Sequence, residues 1–196
     1  RLIYGADPRT AGIVRIDGKE VNIRTPKDAI DAGLTYLTED RKHQGLFLDM
    51  SVKDNINFSV IGRDAFGGGV LNRRKAVDRA KSSIAELKIR VASAAVGVGT
   101  LSGGNQQKVG LAKWLTYLPK VLVLSEPTRG MDVGAKEDVV RIVRSLRGQG
   151  VGIVVVSSEP ETVLSLADRI LVMKKGEVAR EFAGEPVSKD RLLDAA

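Results

Sequence analysis

Two short and almost unbroken apolar runs constrain this chain more than any other feature: VLVL at 121–124 and VGIVVV at 151–156. Neither alternates with polar residues, and both are rich in β-branched side chains. A strand covered by helices on both faces has this composition, because neither face meets water. Helical patterns at about 102–117 and 134–147 precede the two runs, so helix and strand alternate after residue 100. The expectation is an α/β fold around a mostly parallel sheet, with both strands buried on both faces.

Antiparallel pieces flank that core. In GIVRIDGKEVNI at 12–23, alternating apolar residues are broken by Asp17-Gly18, a two-residue hairpin turn. Thr25-Pro26-Lys27-Asp28 then opens a short helix, with Thr25 as N-cap and Pro26 at the first helical position. Gly33 ends that helix, and Leu34–Leu37 reads as a strand leading into Thr38-Glu39-Asp40-Arg41. A second hairpin is expected across 169–182, turning at Lys175-Gly176, before a C-terminal helix capped by Ser188. From 50 to 100 there is no strand pattern. Ser51 starts a helix there, FGGG at 66–69 breaks the chain, and helical spacing runs from Leu71 to Leu87. This block reads as a helical subdomain inserted in the core.

With 196 residues the chain suits one domain, or one core with an inserted subdomain. It has no cysteine and one histidine, His43, which excludes disulfides, thiolate metal sites and multi-histidine centres. His43 is read as an exposed loop residue. No apolar run approaches the roughly 20 residues of a membrane span, and no signal peptide is present, which points to the cytoplasm. The net charge of +7 fits an anionic partner or simply a solvated basic surface. Aromatics make up 4% and do not interleave with the basic residues, so a base-stacking surface is not expected. Arg1-Leu2-Ile3-Tyr4-Gly5 reads as the end of a helix, and the sequence reads as an N-terminally truncated fragment.

Chemistry concentrates after residue 100. Ser102-Gly103-Gly104 lies at the start of a helical pattern, where free amides and the positive end of the helix dipole make an anion site. Ser102 can cap that helix while offering its hydroxyl. A plain Ser/Gly cap would look alike, but here LSGGNQQKV at 101–109 is followed by VLVL and then EPTRGMD. Together with TEDRK at 38–42, SVKDNI at 51–56, EPTRGMDVGAK at 126–136, SSEPE at 157–161 and ADRILVM at 167–173, the string resembles the ABC ATPases. It is most similar to the second cassette of the fused ATPases of bacterial monosaccharide importers.

That resemblance implies a P-loop NTPase-like (RecA-like) fold. Its core parts would be 1–48 and 101–196, with 49–100 as the helical subdomain. It implies ATP and Mg²⁺ as cofactors, and assigns Ser102, Gly103, Gly104 and Gln106 to the nucleotide. Glu126 would orient the water that attacks the γ-phosphate, a task suited to a carboxylate. A helix-capping glutamate beside Pro127 is the alternative. Ser125 stands where the family's Mg²⁺-holding aspartate belongs, and an uncharged hydroxyl is a poor partner for that ion. Asp132 holds the D-loop position, or is a turn aspartate after Gly130. Glu39 replaces the usual Q-loop glutamine, where it would repel a triphosphate unless Mg²⁺ or Arg41 compensates; a salt bridge to Arg41 or Lys42 is the other reading. Ser158 stands where active cassettes carry a histidine. No G-x-x-x-x-G-K-[ST] occurs in the sequence, so the chain alone is expected neither to hold ATP in the usual way nor to hydrolyse it.

Three functions fit. The first is an ATPase module coupling ATP to sugar uptake at the cytoplasmic face of the inner membrane. Its partners would be a second cassette, transmembrane permease subunits and, indirectly, a periplasmic sugar-binding protein. The second is a non-catalytic cassette lending its signature face to a partner's site. The third is an ABC ATPase acting on nucleic acid, which the short 50–100 block without heptads disfavours. Loss of the leading strands would also expose apolar surface and favour self-association.

Overall fold

The computed structural model describes residues 1–64 and 72–195. A 3-10 turn, Leu2–Tyr4, leads to the hairpin β1 (Val14–Ile16) and β2 (Lys19–Val21). Its turn is Asp17-Gly18, with φ of 51° and 75°, the doubly left-handed pair that a two-residue hairpin of matching twist requires. Helix α1 (Pro26–Asp31) starts with a capping box: Thr25 Oγ1 accepts from the Asp28 N–H, and the Asp28 carboxylate accepts from the Thr25 N–H at 2.9 Å. Strand β3 (Leu34–Leu37) follows, then a one-turn π-type helix, Arg41–Gly45. His43 lies in that turn rather than in a loop. Its side chain is exposed, and Nδ1 sits 3.0 Å from Asp40 Oδ1.

The central block is helical, as its pattern indicates. It contains α2 (Val52–Asn57), capped by Ser51, then a 3-10 turn Phe58–Val60, α3 (Ile61–Asp64) and α4 (Arg73–Glu86), capped by Asn72. The FGGG break and the start expected at Leu71 lie outside the described residues. Strand pairing in this block, among the described residues, amounts to one bridge, Ser51 to Gly97.

After residue 100 come α5 (Gly103–Leu115), β4 (Val121–Ser125), α6 (Val133–Gly148), β5 (Gly152–Val156) and α7 (Pro160–Leu166). The hairpin β6 (Arg169–Lys174) and β7 (Glu177–Ala183) and the helix α8 (Lys189–Ala195) close the chain. Strands β3, β4 and β5 form a parallel sheet in that order, with Leu34 opposite Val121 and Val121 opposite Gly152. Helix α5 packs against β3, α2, α4 and α6. Its middle is buried on all sides, and with β4 and α6 it forms the main core around Leu111, Leu122, Leu124, Val139 and Val143. A Cβ on Gly110 would lie 3.0 Å from Leu37 Cδ1, so the glycine lets α5 settle on β3. No helix among the described residues is long and apolar enough to cross a membrane.

One expectation fails here. Strand β4 is sealed, with Leu122, Val123 and Leu124 all buried, but β5 is not: Val154 is 42% exposed and Val156 56%. The reason is missing cover. β5 is an edge strand as β3 is, but whereas β3 is covered, no described element covers the β5 face carrying Gly152, Val154 and Val156.

Candidate functional site

Ser125, Glu126, Ser158 and Glu39 gather where the three parallel strands end, the usual place for ligands in such sheets. Ser125 closes β4, and Glu126 follows it with φ of 46°, a left-handed conformation seldom adopted outside glycine. That twist turns the carboxylate toward the segment following β5. Glu126 Oε1 accepts from the Ser158 N–H at 2.7 Å, Oε2 accepts from Ser157 Oγ at 3.0 Å, and the Glu126 N–H donates to the Val156 carbonyl at 2.8 Å. Glu126 therefore caps the end of β5, not the helix near Pro127. Ser158 enters through its backbone amide.

Glu39, just beyond β3, lies on the other side of Ser125. Tyr36 Oη donates to Glu39 Oε2 at 3.1 Å. The neighbouring Ser125 hydroxyl holds the Glu39 carboxyl below its ordinary range, more than any cation does. The salt bridge of Glu39 to Arg41 or Lys42 does not form. Arg41 instead reaches across to α5, where its guanidinium donates to the Gly103 carbonyl at 3.4 Å and to Gln107 Oε1 at 3.5 Å. Partial burial lowers the Arg41 pKa. Sequence reasoning valued Arg41 only as a counter-charge and missed this link. Its signal was faint, an arginine two residues after Glu39 in TEDRK.

The Ser102 end of α5 departs from expectation in one respect. Ser102 occupies the N-cap position, but its hydroxyl makes no capping bond to the backbone; it accepts from Asn105 Nδ2 at 3.0 Å. Ser102 is exposed, with Gly103 and Gly104 half-buried beside it. The first-turn amides have no partner within a helix and point outward with the positive end of its dipole. Gly104 is needed because a Cβ there would meet the Ala135 Cβ at 2.8 Å, where α6 begins. Gln106 turns the other way. Buried to 7% exposure, its amide donates to the carbonyls of Leu101 at 3.1 Å and Val98 at 3.4 Å, which braces the segment before α5 and faces away from the exposed Ser102.

Asp132 caps α6, accepting from the Ala135 N–H at 2.9 Å, so Asp132 and Gly104 meet the same first turn of α6. The structure thus makes two groupings. One holds Ser125, Glu126, Ser158 and Glu39 at the strand ends; the other holds Ser102, Gly103, Gly104 and Asp132 where α5 meets α6. Also missed was Glu159, which ties the two strand-end segments together.

The two groupings fit an implied ATP and Mg²⁺ unequally. Amides without a helical partner at the start of a long helix, beside an exposed hydroxyl that still has its proton to donate, fit phosphate oxygens. A divalent cation fits poorly: Ser125 is uncharged, and no group of three His, Cys, Asp or Glu that could hold a metal exists among the described residues.

Comparison with known proteins agrees with this arrangement. The family model described as ABC transporter matches residues 1–129. Ribose import ATP-binding protein RbsA 1 of Burkholderia ambifaria is 52% identical over 199 residues, covering 100% of this chain and 38% of that protein. Ribose import ATP-binding protein RbsA 2 of Escherichia coli is 42% identical over 196 residues, again 100% of this chain and 38% of its own. The chain therefore spans about 38% of the length of the curated relatives it matches. A nucleotide-free ATP-binding cassette from an ABC transporter superposes with a TM-score of 0.80 at 21% identity, over 99% of this chain and 76% of that one. A dimeric ATP-binding cassette in a post-hydrolysis state with ADP and Pi gives 0.75 at 22% identity, over 93% of this chain and 77% of that one. At such identities the likeness shows the fold, a P-loop NTPase-like α/β architecture.

Proposed function

We propose a function for this chain from the family to which it belongs, that of the ABC transporters: it is the signature-bearing part of a cassette in a bacterial sugar importer. In this reading 49–100 is the helical subdomain, set between core parts 1–48 and 101–196. The cassette works at the cytoplasmic face of the inner membrane with a second cassette and permease subunits, and a periplasmic sugar-binding protein delivers the sugar. The observation that carries the reading is the exposed start of α5, with outward amides at Gly103 and Gly104 and a Ser102 hydroxyl not spent on capping the helix.

Ser102, Gly103 and Gly104 close on ATP held by the second cassette, and Asp132 presses on the same junction. Gln106 acts indirectly, holding the segment before α5 in place. Bound ATP supplies the phosphate that hydrolysis removes, and closure of the two cassettes switches the permease. The chain's own strand-end site is slow. Glu126 can orient a water, but Ser125 brings no charge to a metal and Ser158 no cation to a phosphate. Because the residues fit Mg²⁺ poorly, no step is assigned to that ion.

The test uses the full-length polypeptide assembled with its permease subunits. Gly103→Asp should lower sugar-stimulated ATP turnover by roughly tenfold or more, since a carboxylate brought against phosphate repels it. Unchanged turnover would sink the lid role. Ser125→Asp should raise hydrolysis in this cassette, and if it does not, the slow-site reading loses its support.

A further inference from the structure

Glu159 occupies the N-cap position of α7 yet makes no capping bond with its side chain. Its carboxylate points instead at the segment that follows β4. Oε2 accepts from Lys136 Nζ at 2.8 Å, and lies 3.0 Å from Thr128 Oγ1 and 3.1 Å from Thr162 Oγ1. The two threonines are 1% and 4% exposed, and their hydroxyls are 2.6 Å apart. Each hydroxyl has one proton. One therefore donates to Glu159 and the other to its neighbour, so the carboxylate receives one hydroxyl and one ammonium and both buried hydroxyls are satisfied. Lys136 keeps the Glu159 carboxyl ionised, below its ordinary range.

The backbone of Glu159 completes a second tie. Its N–H donates to Ser157 Oγ at 3.1 Å, which occupies an acceptor site of that hydroxyl and leaves its proton for Glu126 Oε2 at 3.0 Å. Glu126 is thus held from two sides: directly by Ser157 and Ser158, and along the chain through Thr128, two residues on. A left-handed glutamate is strained and persists only where its surroundings over-determine it. These ties supply that constraint.

We propose that Glu159 is a positioning residue for Glu126, setting the direction of that carboxylate by clamping Thr128 to the Ser157-Ser158 segment. The proposal rests on the reading of Glu126 as the group that orients water. A residue that merely staples α6 to α7 would instead loosen the fold as a whole when removed.

Amide hydrogen exchange on the full-length polypeptide separates these roles, because the Ser158 N–H is itself the donor to Glu126. In Glu159→Ala, exchange of the Ser157-Ser158 amides should rise by roughly tenfold, the scale of one lost hydrogen bond. Exchange across Leu34–Leu37 of β3 should not change. Glu159→Gln keeps an acceptor for the threonines and should restore most of the protection. With Ser125→Asp in place, so that this cassette hydrolyses, turnover should fall in Glu159→Ala with KM for ATP within about twofold, and fall no further when Glu126→Gln is added, as expected of residues acting as one unit. Unchanged exchange at Ser157-Ser158, or equal loosening of β3, would overturn the proposal. If Glu126→Gln leaves the turnover of the Ser125→Asp protein intact, the water-orienting reading fails instead, and the exchange pattern still decides whether Glu159 holds the carboxylate.

Discussion

Strands β4 and β5 are built from nearly the same residues and pair residue for residue, yet they live in different solvents. On the face they share, Val123 of β4 is 4% exposed whereas Val154 and Val156 of β5 are 42% and 56% exposed. On the opposite face Leu122 and Leu124 are 0% exposed, and their partners Ile153 and Val155 are half-buried against the same core. The two halves of the molecule differ accordingly. On the β4 side, glycines bring helices into contact, Lys108 is buried against a half-buried Asp138 and the core is continuous. Leu171, Met173 and Val178 of the last hairpin are exposed as well. Apolar composition alone thus reports that a strand was built to be covered, and says nothing of which element covers it.

The sharpest way to break this comparison is to truncate the sealed strand. Leu124→Ala should cost about 2–5 kcal/mol, as large-to-small changes in closed cores do, read as a fall in the urea midpoint by circular dichroism. A loss below about 1 kcal/mol would mean that β4 is no better packed than β5. Next in size is Gly104→Ala. Its new Cβ would lie 2.8 Å from that of Ala135, forcing α5 and α6 apart at a cost of about 1–3 kcal/mol. A neutral effect in the same titration would show that the α5–α6 junction is as loose as the β5 edge.

The third prediction concerns charge. Lys108, with 5% of its side chain exposed, donates to Asp138 at 2.6 Å and to the Lys88 carbonyl at 3.1 Å. The Lys108 bond holds the Asp138 carboxyl below its ordinary value of 3.8. Because the folded pKa lies below the unfolded one, the pair stabilises fully above pH 3.8 and loses its contribution as pH falls through the depressed folded value. Asp138→Asn should cost about 1 kcal/mol at pH 7 and flatten this acid limb. A denaturation series from neutral to pH 2 checks it, and an unchanged acid limb in the variant would exclude Asp138 as its source.

Local rules explain why some of this was legible in the sequence. Asp17-Gly18 and Lys175-Gly176 both take two successive left-handed conformations, and Thr25 with Asp28 closes a capping box; each depends only on neighbouring residues. The two groupings of candidate site residues were half legible. Their membership followed from motif strings, but the directions of side chains did not. Nothing local says that Gln106 turns inward to Val98 while Ser102 stays exposed, or that Arg41 prefers Gly103 to Glu39. Arg41 is drawn by a helix that arrives from 62 residues away, and Gln106 is turned by the way the segment just before α5 folds back to offer its carbonyls. Glu159 was invisible for the same reason: its partners Thr128 and Lys136 come from another segment, and before a proline it reads as an ordinary cap.

The smallest expected effect tests the open side itself. Replacing Val154 and Val156 by threonine keeps the β-branched shape that suits a strand while making the exposed surface polar. Since these side chains are already largely in water, little burial is lost, and stability should stay within about 0.5 kcal/mol of the parent chain. Association should respond far more. An outer strand with an apolar face is a template for pairing with another chain, so the 196-residue chain should scatter light as oligomers at high concentration, and the double variant should scatter less. A drop in stability of about 2 kcal/mol or more would mean that something covers the face after all, and the contrast between β4 and β5 would fall with it.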